Sequence, residues 1–258
     1  MCGRFVIVSS PEAIRQMFGY PHGPNFPPRF NIAPTQPVPV VLQESGGRQF
    51  CLMRWAFLPA WAKEPAKFGL VINARAETIV EKPAFRNAIR HRRCLIPADG
   101  YFEWQDMGTR KRPLYIHPTA GGPIAFAAVY ETWAGPNGEE VDTVAIVTTA
   151  ASPDLSSLHH RMPVTIAPEA FPRWLDCIHS PLDEAMALLA APPVGTFAWH
   201  EVSTAVNRVV NDDAGLIAPI SAEEVAREAA EAKAEAEAKR ARARVSRKPV
   251  SSDQGSLF

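Results

Sequence analysis

The first residues with a chemistry of their own are Met1-Cys2-Gly3-Arg4-Phe5. Once the initiator Met1 is removed, Cys2 carries a free α-amine and a thiol on neighbouring carbons. An unperturbed α-amine titrates near pH ~8 and a thiol near ~8.5, so close to neutral pH a fraction of each is nucleophilic without a metal. Such a 1,2-aminothiol has two uses. The amine can add to an aldehyde to give an imine, which the thiol then closes into a thiazolidine ring. The amine can instead serve as base for its own thiol, the logic of an N-terminal nucleophile hydrolase. A lone Met-Cys does not choose between these uses, or between either and an ordinary chain start.

Composition narrows the setting. The chain has 258 residues, 47% of them apolar, enough for one large domain or two small ones with an ample core. No apolar run reaches ~18 residues and no basic-then-apolar leader opens the chain, so a soluble, cytoplasmic protein is expected. Cys2, Cys51, Cys94 and Cys177 are scattered, with no Cys-x-x-Cys and no histidines at metal-ligand spacing. Neither a disulfide framework nor a zinc site is indicated, and no cofactor is called for. The 27 basic residues are balanced by 27 acidic ones, which excludes a generally basic nucleic-acid coat and leaves any DNA contact to a local cluster.

The elements that must position Cys2 are mostly strands. Ser9-Ser10-Pro11-Glu12 reads as a helix start, with Ile14, Met17 and Phe18 on one face and Gly19 as the stop. Residues 20–28 are rich in Pro and Gly and read as loop. Strands are expected at 38–42 and 49–57 around the turn Ser45-Gly46-Gly47, and again at 94–96, 101–105, 114–117, 124–132, 141–149 and 197–202. Residues 83–93 read as a helix with Phe85 and Ile89 inward and Arg86, Arg90, His91, Arg92 and Arg93 on a charged face. Two short helices are expected at 168–176 and 181–190. The strands are too many and the crossing helices too few for a doubly wound sheet. An α+β domain over residues 1–220 follows, built on a curved, mostly antiparallel, barrel-like sheet with peripheral helices. From Ser221 onward Ala, Glu, Lys and Arg dominate without an apolar stripe, so residues 221–258 read as a charged tail, helical or disordered.

Six ordered stretches then converge. They are Met1-Cys2-Gly3-Arg4-Phe5, Phe30-Asn31-Ile32-Ala33-Pro34, residues 55–61, Asn73-Ala74-Arg75-Ala76-Glu77-Thr78, residues 93–104 and His159-His160-Arg161-Met162-Pro163. Together they resemble the SOS response-associated peptidase family, the abasic-site processing proteins. The resemblance spans the body of the chain but not the tail. It departs from the family's usual pattern at Ala56, where Gly is commoner. What it implies is a monomeric, nucleoid-associated protein that binds single-stranded DNA at an abasic site and captures the sugar aldehyde with Cys2. The matching positions are Cys2, Asn73, Glu103 and His159, with His159 rather than His160 at the family spacing before Arg161.

That chemistry calls for these residue types. Opening the cyclic sugar moves a proton from the anomeric hydroxyl to the ring oxygen, which a His performs near neutral pH. Expelling water from the carbinolamine needs an acid such as Glu103, if burial beside Trp104 raises its pKa. Asn73 can hold the sugar or the Cys2 amine without adding charge. Sequence-independent binding is expected from phosphate contacts by Arg4, Arg75 and Arg161 and from stacking on Trp55 and Trp61. The peptidase label in the family name fits removal of Met1 by the protein itself, while Gly3 and the small Cys2 equally suit a housekeeping aminopeptidase. Gln254-Gly255-Ser256-Leu257-Phe258 is similar to peptides that bind bacterial sliding clamps, with Gln254, Leu257 and Phe258 as the anchors. The competing readings are the N-terminal nucleophile hydrolase, which needs Cys2 but no DNA, and a non-catalytic DNA or clamp adaptor, which needs the tail but not Cys2.

Overall fold

The computed structural model describes residues 2–23, 25–108 and 110–246, and the chain divides into two units, Met1–Ala218 and Pro219–Phe258. The first unit opens with β1 (Phe5–Ile7), α1 (Pro11–Phe18), β2 (Arg29–Ile32) and the hairpin of β3 (Pro37–Glu44) and β4 (Gly47–Trp55). After α2 (Pro65–Phe68), β5 (Asn73–Arg75) and α3 (Ala88–His91) come β6 (Arg93–Ala98), β7 (Gly100–Asp106), β8 (Lys111–Pro118), β9 (Ile124–Ala134) and β10 (Glu140–Ala150). β11 (Arg161–Pro163), α4 (Phe171–Leu175), α5 (Leu182–Ala187) and β12 (Phe197–Glu201) complete it.

The strands form two sheets. In one, β10, β4, β3, β6 and β9 pair in turn and β9 pairs back to β10, closing a barrel that is antiparallel except where β4 runs parallel to β10. β5 also joins β10 in parallel, and β11 joins it antiparallel. The other sheet has the order β12-β8-β7-β1-β2. Phe5 of β1 meets Trp55 of β4 edge-on at 5.0 Å and Phe126 of β9 at 5.9 Å, so the core lies between the sheet and the barrel. The expected α+β domain with a barrel-like, mostly antiparallel sheet is therefore what the chain forms.

The N-terminal strand is held from several sides. Val6 lies opposite Gly100 across the β1–β7 pair, and a Cβ on Gly100 would come within 2.7 Å of the Tyr115 ring and the Ile116 carbonyl. Only glycine lets the strands approach this closely. The Asp99 carboxylate, just ahead of it, accepts the Val8 and Ser9 N–H groups at 2.6 and 2.8 Å. Ser10 then caps α1 by accepting the Ala13 N–H, and Gly19, left-handed at φ 68°, ends the helix.

One expected element is shorter than its sequence suggested. Between residues 78 and 87 the chain makes overlapping turns, and only Ala88–His91 is helical. The Phe85 and Arg86 N–H groups both donate to the Lys82 carbonyl at 2.9 Å, mixing i→i−3 and i→i−4 spacing instead of building a continuous α-helical ladder. Arg93, expected on a charged outer face, is instead buried at the start of β6. Its guanidinium donates to the carbonyls of Ile89, Arg90, Trp174 and Asp176, joining the ends of α3 and α4.

The second unit contains α6 (Ala222–Ser246). A capping box starts it: Ser221 Oγ accepts the Glu224 N–H, and the Glu224 carboxylate accepts the Ser221 N–H at 2.9 Å. Glu223 and Glu224 in the first turn suit the positive end of the helix dipole. The proposed clamp anchors Gln254, Leu257 and Phe258 lie outside the described residues. Among the described residues, no helix is long and apolar enough to cross a membrane.

Candidate active site

Strand pairing brings residues from distant parts of the chain to Cys2. The Phe102 N–H donates to the Arg4 carbonyl at 3.0 Å, extending the β1–β7 pairing toward the N-terminus and carrying Cys2 toward Glu103. From the other side, Asn73 stands opposite Ile146 on β10, and its Nδ2 donates to the Cys2 carbonyl at 2.9 Å. The buried Asn73 Oδ1 has no hydrogen-bond partner among the described residues. β11 begins two residues after His159 and pairs back on β10, and Gln105 Nε2 holds the intervening loop to β7 by donating to the Ser157 carbonyl at 2.9 Å. As a result His159 Nδ1 lies 4.0 Å from Glu103 Oε1. Cys2, Asn73, Glu103 and His159 are thus brought together.

Burial sets the electrostatics. The Cys2 side chain is fully buried, and that burial, reinforced by the negative field of Glu103, pushes its thiol well above the ordinary range. Burial also raises the Glu103 carboxyl, favouring its protonated form. It lowers His159, which favours the neutral ring. His159 Nδ1 lies 3.0 Å from the Arg161 backbone nitrogen and 3.1 Å from the Arg161 carbonyl oxygen, which fixes the ring against the start of β11. His160 stacks on His159 with ring centroids 4.3 Å apart.

Two clefts adjoin this group. Glu103, Trp104, Lys111, His159 and Asn207 line one of about 520 Å³. The other, about 550 Å³, begins at Asn73 and includes Trp61, Phe68, Arg75, Thr78 and Lys82. Trp61 is 59% exposed and meets Phe68 edge-on at 5.6 Å, offering an aromatic face beside the exposed cations Arg75 and Lys82.

The remaining expected DNA contacts need correction. Trp55 is 0% exposed, donates its Nε1–H to the Ile72 carbonyl at 2.9 Å and packs on Phe5, so it is a core residue and cannot stack on a base. Arg161 is 9% exposed, its guanidinium committed to both Glu77 oxygens at 2.6 and 3.0 Å and to Thr148. It therefore ties β11 to β10 and to the loop after β5, rather than meeting a phosphate. Arg4 is partly buried. Its guanidinium donates to Asn31 Oδ1 and the Val206 carbonyl, both at 2.8 Å, and lies 5.9 Å from the Trp104 ring centroid.

The difference between the two tryptophans is measurable. Trp55→Ala is expected to cost about 3–5 kcal/mol of stability, seen as a large fall in the thermal midpoint, whereas Trp61→Ala leaves the midpoint unchanged. Equal falls would make Trp61 a core residue as well.

Lys111 and Asn207 escaped the sequence reading. Lys111 pairs with Asp106 next to the turn of the β7–β8 hairpin, a position readable only once that hairpin's register is known. Asn207, which accepts the Trp104 Nε1–H at 2.7 Å, comes from a loop more than a hundred residues away and left no local signal.

The barrel with its flanking sheet, and an N-terminal Cys set among Asn, Glu and His, define a family. The model of the SOS response associated peptidase family matches residues 1–209, and the chain belongs to that family. Among its relatives, the abasic site processing protein YoaM of Bacillus subtilis (strain 168) is 34% identical over 222 residues, which cover 84% of this chain and 97% of that protein. The abasic site processing protein YedK of Escherichia coli (strain K12) is 32% identical over 227 residues, covering 85% and 100% of the two chains. A crystal structure of a Bacteroides thetaiotaomicron protein superposes with a TM-score of 0.73 at 25% identity, covering 85% of this chain and all of the other.

Proposed function

We propose that this protein senses abasic sites in single-stranded DNA and captures them covalently through Cys2 once Met1 is removed. The observation that carries this reading is the convergence of Asn73, Glu103 and His159 on an N-terminal cysteine at the junction of two open clefts. The names of its relatives supply the lesion.

Each residue then has a task. His159 moves a proton from the anomeric hydroxyl of the abasic sugar to the ring oxygen, opening it to the aldehyde. The freed Cys2 amine, accepted by Asn73 Oδ1, attacks C1′ and forms a carbinolamine. Protonated Glu103 delivers its proton to the carbinolamine hydroxyl, which leaves as water and gives an iminium. The Cys2 sulfur adds to that carbon, the thiol proton returns to the Glu103 carboxylate, and the ring closes as a thiazolidine. One water is lost and no oxidant is consumed. The process is stoichiometric unless the ring reopens. Trp61, Arg75 and Lys82 hold the strand on the Asn73 side, and duplex DNA is excluded because its sugars are not accessible to a recessed cysteine.

The hydrolase use of Cys2 draws no comparable support, because burial and Glu103 both hold the thiol away from the thiolate that such a nucleophile needs.

The test is a denaturing gel of the Met1-processed protein, its processing confirmed by mass spectrometry, incubated with a single strand containing one abasic site. A heat-stable shifted band with wild type and none with Cys2→Ala is expected. Absence of the band with processed wild type would refute covalent capture.

A further inference from the structure

The loop that supplies Asn207 has a second unusual feature. The Asn211 N–H donates to the Arg208 carbonyl at 3.0 Å, closing a β-turn with Val209 and Val210 at its corners. Such corners favour Gly, Pro, Asn, Asp and Ser. Two β-branched apolar residues gain nothing there locally, and here they stand 41% and 76% exposed.

The backbone beneath them is firmly held. The fully buried Asn31 amide donates to the carbonyls of Val206 and Arg208 at 3.2 Å and of Asn211 at 2.8 Å. Asn211 Nδ2 returns to the Ala205 carbonyl at 2.8 Å, and the Asp212 carboxylate binds the Phe30 and Asn31 N–H groups and the Arg29 guanidinium. A rigid, hydrogen-bonded base therefore presents an apolar tip to water. That tip follows closely on the site in the chain, since Asn207, two residues before Val209, lines the cleft containing Glu103 and His159.

We propose that the Val209–Val210 turn is an apolar wedge for the nucleobase flanking the abasic nucleotide, on the Trp104 side of Cys2 and away from Trp61. This rests on reading the site as an abasic-site pocket. The occupant must offer an apolar face with negative charge attached, because the tip is two side chains wide and is flanked by the exposed Arg208. A nucleobase on its phosphate meets both conditions. A protein partner would need a patch on the order of 1,000 Å², and the residues around the tip, Asn207, Arg208, Asp212 and Asp213, are exposed and polar. The wedge would keep the two bases beside the gap from stacking on each other, leaving the abasic sugar open to Cys2.

The test uses the full chain carrying Cys2→Ala, which cannot crosslink. The probe is a single strand containing a tetrahydrofuran abasic analogue, with fluorescent 2-aminopurine on one flank or the other. Changing Val209 and Val210 together to Ser is expected to weaken binding about tenfold, to alter the 2-aminopurine signal on one flank only, and to leave the salt slope unchanged because no phosphate contact is removed. Both residues are exposed, so the thermal midpoint should not move. Unchanged affinity and unchanged signals on both flanks would overturn the wedge while leaving the abasic-site reading intact. Failure of the parent Cys2→Ala chain to prefer the abasic analogue over an intact strand would overturn both.

Discussion

Replacing Glu103 with Gln is expected to slow adduct formation by about 10²–10⁴-fold and, at neutral pH, to raise the thermal midpoint. The isostere keeps the shape of the side chain but can neither donate the proton that expels water nor take the one released on ring closure. The stability effect follows from linkage. Burial raises the Glu103 pKa in the folded protein, so between the unfolded and folded values the native state binds more protons than the unfolded chain. Stability from this group is complete below ~4.3, the ordinary Glu value, and is lost as pH rises through the folded pKa. Wild type at neutral pH thus carries the free-energy cost of a buried titratable carboxyl that the Gln variant lacks, and the difference should shrink in acid. His159 behaves oppositely: its lowered pKa makes stability fall as pH drops below ~6.5. Single-turnover gels and calorimetry across pH would measure both. An unchanged capture rate would remove Glu103 from the proton transfers, and a midpoint that fell at neutral pH would show it to be a net stabiliser.

Cys2→Ser should separate the amine from the thiol. The α-amine survives, so the imine still forms and borohydride still traps it. Closure through the hydroxyl gives an oxazolidine, which reverts readily, so the heat-stable band should fall to background. Serine is small enough for the buried site, and the thermal midpoint should change little. A heat-stable band at wild-type yield would mean that sulfur is not in the bond, and the thiazolidine would be wrong even if the amine reaction were right.

Local signals in the sequence reached some features and not others. The boundaries of α1 were readable because Ser10 and Gly19 act on their immediate neighbours. The β3–β4 hairpin was readable because its turn residues have few alternatives. Cys2, Asn73, Glu103 and His159 could be named together only through the family resemblance, since nothing local marks Asn73 or Glu103 as partners of Cys2. Trp55 and Trp61 are the same residue type only a few positions apart. Which is core and which is surface depends on where β4 ends and on Phe5 and Ile72, set by long-range pairing. Arg161 sits in an obvious motif, yet its charge is spent on Glu77, a partner that only the joint pairing of β5 and β11 to β10 brings within reach. The valine turn carries no local signal, because apolar residues in an irregular stretch look like filler until their exposure is known.

The bonds that fix Arg4 bear on when this chain becomes reactive during its synthesis. The Arg4 guanidinium ends on the Val206 and Asn207 carbonyls, and its neighbour Asn31 ends on Val206, Arg208 and Asn211. On the proposed reading, a nascent chain therefore cannot seat the strand that aims Cys2 until those carbonyls have left the ribosomal tunnel. Most of the first unit must be made before Cys2 is presented in working order. On that reading the architecture acts as a timing interlock, keeping Cys2 from being aimed while the protein is still being built.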